Sequence, residues 1–359
     1  MKKVFISVTN DLITDQRAHK VASSLLAKGY DVLLIGKRGE KIITRNYNCH
    51  QLQIVFNKGF LFYLEFNIKL FLFLLFKNCD ILLSNDLDTL LPNFLISKLK
   101  NNSLVYDSHE LFTEVPELLN RPLVKSIWLY IERFCLPNIK YSYTVSESIA
   151  DYYRNKYQIK MSVIRNFPLI RQLPIIQKDK KNRIIIYQGA VNKDRGVELM
   201  ILAMKYVEAK LYIVGGGDLV IEMQQLSRLH HLDNKIVFLG KKHFSELLSI
   251  TQAADLGLSF EADTCLAYKY SLPNKIFDYI NAEIPVLVSD LPEFKKIINQ
   301  YGVGAILKSR SPKIIAEQIN MLLSSSSEHM FSKIKLAKKE FSWLNEEKTL
   351  LSIFDRIPL

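Results

Sequence analysis

Apolar residues along this chain fall into short runs, and the stretches between the runs have helical spacing. Residues 4–8 read as a strand. Gln16–Ala27 follows, with Ala18, Val21, Ala22, Leu25 and Leu26 on one helical face and Gly29 just past its end. Residues 31–35, 79–84, 103–107 and 143–145 are further short apolar strands, and Ser146 stands where it would cap the next helix. The pattern breaks at Arg165-Asn166-Phe167-Pro168, and the polar run 177–183 reads as a linker. It then restarts with strands at 184–187, 211–214, 236–239, 256–259 and 286–289, separated by helical stretches such as 197–207. Such alternation predicts an α/β protein whose parallel sheets carry helices on both faces. Two series predict two Rossmann-like domains, at residues 1–168 and 183–341, joined by a linker at 169–182. A helix within 342–359 is expected to return to the first domain.

The bulk numbers agree with this division. A chain of 359 residues, 48% hydrophobic and 23% charged, can fill two cores. Its net charge of +12 suits nucleic acid, an anionic membrane surface or phosphorylated ligands. No nucleic-acid-binding motif is present, which removes the first class. Cys49, Cys79, Cys135 and Cys265 are far apart and form no CxxC pair, so neither a zinc site nor a disulfide scaffold is expected, and a reducing compartment is. The start of the chain reads as a first strand with no signal peptide. The most apolar stretch, Phe60 to Phe76, is interrupted by Glu65, Asn67 and Lys69 and falls short of a membrane span. It reads either as a helix buried on the first sheet or as a partly exposed surface that docks on a bilayer with help from Lys58, Lys69 and Lys77.

Ligands of open α/β sheets bind beyond the carboxyl ends of the strands, so the loops there hold the candidate chemistry. Gln188 to Gly196 joins a strand to a helix and contains Gly189, Lys193 and Arg195, which are either a phosphate cradle or a solvated basic turn. Gly215-Gly216-Gly217 lets the backbone approach a ligand, or else makes a tight structural turn; it lacks dinucleotide spacing. The third segment, Leu272-Pro273-Asn274-Lys275, opens a helix with Pro273 in its first turn. A helix start aims free N–H groups at an anion. Lys275 would add charge there, and Asp278, three residues on, shares its face and would suit ribose hydroxyls. The plain alternative is a capped helix with an ordinary ion pair. In the first half His109 follows a strand, beside Asp107 and Glu110, where it could move a proton or hold a sugar hydroxyl. Asp86-Leu87-Asp88 has the spacing of a metal-binding pair, but a helix-capping or acceptor-side role is expected.

The ordered set of segments resembles glycosyltransferase family 4, which has the GT-B fold. It comprises Tyr187-Gln188-Gly189 with Arg195-Gly196, residues 211–217, Val237-Phe238-Leu239-Gly240, Ala254-Asp255-Leu256-Gly257 and residues 272–288. Asp15-Gln16-Arg17, residues 105–111, Thr144-Val145-Ser146 and Arg165-Asn166-Phe167-Pro168 extend it through the first half. The resemblance implies a UDP- or GDP-sugar donor and retention of anomeric configuration, with no metal and no other cofactor. It implies a glycan or lipid-linked acceptor, cell-surface polysaccharide synthesis and a cytoplasmic location, at the inner membrane face if residues 60–76 dock. Arg195 and Lys275 would hold the diphosphate, Asp278 the ribose, and His109 the sugar from across a cleft between domains. Tyr270 stands where many members carry the first of two glutamates, and Ala190 where many carry an arginine. A GT-B nucleotide-sugar epimerase and a non-catalytic membrane-associated relative are the alternatives.

Overall fold

The computed structural model describes residues 1–13, 15–39, 45–169, 182–324 and 328–358. The chain forms two compact units. The first holds Met1–Asn166 and Trp343–Leu359 with the short piece Cys265–Ala267, and the second holds Phe167–Thr264 and Tyr268–Ser342. Most of the expected linker, residues 170–181, lies outside the described residues.

The first unit is built on a parallel sheet of β1 (Lys3–Asp11), β2 (Asp31–Lys37), β3 (Asn48–Leu52), β4 (Ile81–Asn85), β5 (Ser103–Ser108), β6 (Tyr141–Thr144) and β7 (Ser162–Val163). Their order across the sheet is β3-β2-β1-β4-β5-β6-β7. The second unit repeats the plan with β8 (Ile184–Gln188), β9 (Lys210–Val214), β10 (Ile236–Gly240), β11 (Leu256–Ser259), β12 (Val286–Val288) and β13 (Gly304–Ile306), in the order β10-β9-β8-β11-β12-β13. Both sheets reverse direction of growth beside their first strand, between β1 and β4 and between β8 and β11. That switch leaves a crevice at the carboxyl ends of the two strands, the usual place for a ligand in an open sheet.

The central strands are apolar on both faces because helices cover both. Ile6, Leu34 and Leu83 point into one core of the first unit, and Ile186, Val286 and Val288 into one of the second. The helix Gln16–Ala27 begins with Asp15, whose carboxylate accepts from the Ala18 amide at 2.9 Å. Ser146 caps Glu147–Tyr157 in the same way through the Ile149 amide. The strands not anticipated, β3, β7 and β13, lie at or near sheet edges, are short, and lack a fully buried face. The helix at 197–207 is shorter than expected, ending at Ala203 and tightening into a 3-10 turn over Met204–Tyr206.

The last helix, Trp343–Asp355, packs on Gln16–Ala27 within the first unit. Trp343 is buried and its indole donates to the Ser24 hydroxyl at 2.9 Å, while the Lys20 ammonium lies 4.8 Å from its ring centroid. Leu350, Ile353 and Phe354 complete the same core. Trp343→Ala removes the largest fully buried side chain and orphans Ser24; it is expected to lower stability by about 3–5 kcal/mol. Urea unfolding followed by circular dichroism measures this, and an unchanged midpoint would show that the helix contributes no packing.

Candidate active site

In the second unit the switch-point crevice is lined by the loop after β8 and the loop after β11. Glu261, two residues beyond β11, is fully buried. Its Oε1 accepts from the Lys275 ammonium at 2.7 Å and lies 3.8 Å from Nη1 of Arg195. Its Oε2 accepts from the Ser259 hydroxyl at 2.7 Å. Burial works against the Glu261 charge, but Lys275 and Ser259 outweigh it and hold the carboxyl below its ordinary value. Two cations from distant parts of the sequence therefore meet on one carboxylate oxygen.

Each is fixed from its other side by an aromatic ring. The Lys275 ammonium sits 4.3 Å from the Tyr187 ring centroid, and Tyr187 is anchored by its hydroxyl to the Ala190 carbonyl at 2.6 Å. The Arg195 guanidinium lies 4.5 Å from the Tyr268 ring centroid. Gly189 has φ +141, and a Cβ there would lie 3.3 Å from the lysine Cε and Nζ. Its lack of a side chain brings the backbone against Lys275. Gly215 serves loop packing instead. A Cβ on it would overlap the Gly189 carbonyl, so its absence lets the β8 and β9 loops touch. Gly216 faces Lys241. For this glycine run, packing between loops is the reading that the contacts support.

Lys275 is the first residue of Lys275–Asn281, and Asn274 is its cap position without a side-chain bond. Pro273 thus lies one residue before the cap, outside the first turn where it was expected. Leu272 is buried in the core. Lys275 and Asp278 share a helix face, yet the ordinary ion pair between them is replaced by separate partners: Lys275 takes Glu261, and Asp278 accepts from Gln188 Nε2 at 2.7 Å. The Gln188 side-chain oxygen in turn accepts from the Thr251 hydroxyl at 2.8 Å. Lys193 is exposed in the same loop as Arg195. Glu261 carried no signal in a motif sense, and its position just beyond β11 was the available clue; Tyr187 lay in the Tyr187-Gln188-Gly189 segment of the resemblance, with no role assigned to it.

The corresponding place in the first unit holds a second charged network. Arg17 makes a two-point ion pair with Asp107, Nε to Oδ2 at 2.8 Å and Nη2 to Oδ1 at 2.7 Å, and Nη1 donates to the Ile164 carbonyl at 2.9 Å. Both side chains are buried. Burial opposes ionisation of Asp107, but Arg17 and His109 hold its carboxyl down at about 2. His109 is clamped through both ring nitrogens, Nε2 to Asp107 Oδ2 at 3.0 Å and Nδ1 to Asp86 Oδ2 at 3.1 Å. Its amide also donates to Asp86 Oδ1 at 2.7 Å. Burial opposes a charge on the imidazole, yet Asp86 and Asp107 raise its pKa well above the ordinary value. A ring held protonated between two acceptors has no lone pair for base chemistry, which weighs against the proton-moving role expected of His109 and leaves it a fixed positive charge.

Asp86 has φ +57 and ψ 170, a strained backbone for a residue with a side chain. Asp86 stands at the cap position of the 3-10 turn Leu87–Thr89 but makes no side-chain bond there, because its carboxylate turns to His109, and Asp88 is buried against the Thr9 hydroxyl. Burial, then the neighbouring Asp86, push the Asp88 carboxyl up to about 8. The pair is therefore one spent carboxylate and one largely neutral acid at neutral pH, a poor donor set for a cation.

Comparison with known proteins gives two family matches. The model described as "Glycosyl transferases group 1" matches residues 171–339, and that described as "Glycosyltransferase Family 4" matches residues 15–167. An uncharacterized glycosyltransferase of Methanocaldococcus jannaschii is 25% identical over 190 residues, which are 50% of this chain and 46% of the relative. The match thus spans about half the length of that curated relative. Sucrose-phosphate synthase from Thermosynechococcus elongatus superposes with a TM-score of 0.80 at 13% identity, over 99% of each chain. Anabaena HepE, solved with UDP-glucose, gives a TM-score of 0.74 at 14% identity, over 99% of this chain and 100% of that one. Both have the two-sheet GT-B architecture found here.

The clamp on His109 has a pH signature. Its folded pKa lies above the ordinary value of about 6.5, so the stability it contributes is complete below about 6.5 and is lost as pH rises through the folded value. Nitrogen-15 spectra of the ring are expected to show imidazolium at about pH 7.5, where an unperturbed histidine is mostly neutral. Asp86→Asn should bring the titration down toward the ordinary range. A neutral ring in the unmodified protein under those conditions would contradict the clamp.

Proposed function

We propose, from the premise that this chain belongs to the family 4 glycosyltransferases of GT-B fold, that it transfers a sugar from a UDP- or GDP-sugar to a glycan or lipid-linked acceptor, with retention and without a metal. The observation that carries this reading is the meeting of Lys275 and Arg195 on Glu261 at the switch point of the second sheet. When the bond from the anomeric carbon to the donor phosphate breaks, negative charge builds on the departing nucleoside diphosphate. Cations fixed in place beforehand stabilise that charge without reorganising, which is where an enzyme gains most. Lys275 and Arg195 fill this role, with Lys193 adding charge at the rim and the backbone at Gly189 lying low beside them. Asp278, oriented by Gln188, takes the ribose hydroxyls.

Glu261 tempers the site. It offsets one of the two positive charges, so the diphosphate is held by a net single charge and by direction rather than by a large field. A weaker hold on the product favours its release. UDP-glucose bound to the Anabaena protein supports uridine as the base. In the first unit, Asp86 and Asp107 take both ring N–H groups of His109, so its fixed charge suits an electrostatic role toward the donor sugar rather than a direct hydrogen bond. Synthesis of a cell-surface polysaccharide in the cytoplasm is the setting this chemistry suits.

Lys275→Ala alone is a poor test, because it leaves the Glu261 carboxylate buried without its closest partner, a change that costs about 3–5 kcal/mol. The paired variant Lys275→Met/Glu261→Gln removes both charges and keeps the volume. It is expected to retain a cooperative melt while kcat falls by about 10²–10³-fold. Transfer at near-normal rate by the folded pair variant would overturn the assignment. Thermal shift with UDP, GDP and ADP should raise the melting temperature of the unmodified protein with UDP or GDP and not of the pair variant. Equal shifts in both proteins would place the nucleotide elsewhere.

A further inference from the structure

The helix Gly59–Leu75 is apolar on two opposite sides. Phe62, Phe66, Leu70 and Leu74 are buried against the first sheet. Leu61, Leu64, Ile68 and Leu72, at helical spacing on the far side, are exposed. The neighbouring helices share this property. Leu90–Lys100 exposes Leu95 and Leu99, and Pro122–Cys135 exposes Leu123, Ile127, Tyr130 and Phe134 opposite its buried Trp128, Glu132 and Cys135. The three pack side by side, through Tyr63 on Trp128 at 5.2 Å between ring centroids and Phe94 on Phe134 at 5.4 Å. Their outward rows therefore border one another on a single face of the first unit. So many large apolar side chains in adjacent rows are not left to water without a reason.

The exposed charges on the three helices and at their immediate ends are basic, with Asp80 and Glu117 the exposed acids next beyond them. Lys58, Lys77, Lys98, Arg121 and Arg133 are exposed along the ends and edges of the three helices. The helices contain only two acids, and neither opposes them. Glu132 is buried and bonded to Lys156 at 2.8 Å, and Glu65 accepts from the Lys69 ammonium and from the Val55 and Phe56 amides. Among the described residues no helix is long and apolar enough to cross a membrane.

We propose that the face formed by Gly59–Leu75, Leu90–Lys100 and Pro122–Cys135 docks on an anionic lipid bilayer, with the outward leucines and aromatics entering the headgroup boundary and the basic rim meeting lipid phosphates. Apolar burial supplies the hold, and the lysines and arginines select negative surfaces. A second protein copy would need acidic groups facing this rim, and the helices themselves offer none. The inference is independent of the donor reading, since it uses no residue of the nucleotide site.

Flotation of the full chain with phosphatidylcholine vesicles, with and without phosphatidylglycerol, tests it. The protein is expected to float with the anionic vesicles, to float much less with the neutral ones, and to lose binding as salt rises. Ile68→Glu/Leu72→Glu and Leu123→Glu/Ile127→Glu each place two carboxylates on exposed positions, and each should weaken binding to anionic vesicles by about tenfold or more. Their melting temperature and its response to UDP should match the unmodified protein, which separates loss of docking from loss of fold or of nucleotide binding. Failure of the unmodified protein to float at low salt would overturn the proposal. So would undiminished flotation of both variants, or a dimer in analytical ultracentrifugation that the same substitutions dissolve while vesicles go unbound.

Discussion

Two cations can be held near each other inside a protein only if something offsets their repulsion, and in the second unit that is the buried carboxylate of Glu261. Like unit charges about 4 Å apart repel by about 4 kcal/mol at an effective dielectric constant of about 20. The carboxylate reverses the sign of the balance, and the sheet determines where it stands. Gly257 in β11 has no side chain, which admits the Tyr279 ring directly above the strand. The Tyr279 hydroxyl then accepts from the Gln188 amide at 3.0 Å and donates to the Leu258 carbonyl at 3.1 Å. One tyrosine thus ties β8, β11 and the helix that begins at Lys275. Lysine and glutamate are brought to bonding distance by the packing of their elements, and the pair then costs little further entropy to form.

The first unit solves a similar problem with the opposite charge in excess. Asp86, Asp88 and Asp107 come together at the ends of β4 and β5, with Arg17 and His109 against them. Three ionised carboxylates would not be tolerated there. Asp107 keeps its charge because Arg17 meets it at two points, Asp86 faces the imidazolium, and Asp88 escapes by holding its proton. The strained backbone of Asp86 is the cost of turning both its carboxylate oxygens to His109, about 1–3 kcal/mol by ordinary experience of such conformations. The histidine is consequently oriented before any ligand arrives.

Much of this was legible in the chain because period and punctuation report on sheets directly. The runs at 184–187 and 256–259 are largely apolar, as central parallel strands must be, and the cap at Ser146 announced its helix. Arg195 and Lys275 were found because they lie in loops after strands or at a helix start. Glu261 was not, since an acid in a loop looks like a solvated one until the strand before it is known to be central. The roles of Arg17 and Asp107 were hidden for a different reason. They are 90 residues apart and meet only through the sheet, so no local pattern joins them. Pro273 misled by two positions, a normal uncertainty at a helix end.

The net charge of +12 invites the thought that the crevice of the second sheet is strongly basic, and the structure points elsewhere. Two of the buried cations are matched by acids, Arg17 by Asp107 and Lys275 by Glu261, and a third, Lys20, lies over the Trp343 ring. Within the second crevice, Arg195, Lys275 and Glu261 sum to a single positive charge. The surplus sits on exposed side chains, several of them at the rim of the apolar helices. Salt screens exposed charges over about 8 Å at physiological strength and buried pairs much less. Ionic strength should then govern how the molecule meets large anionic surfaces, while the cluster of Arg195, Lys275 and Glu261 is set by geometry and stays largely insensitive to it.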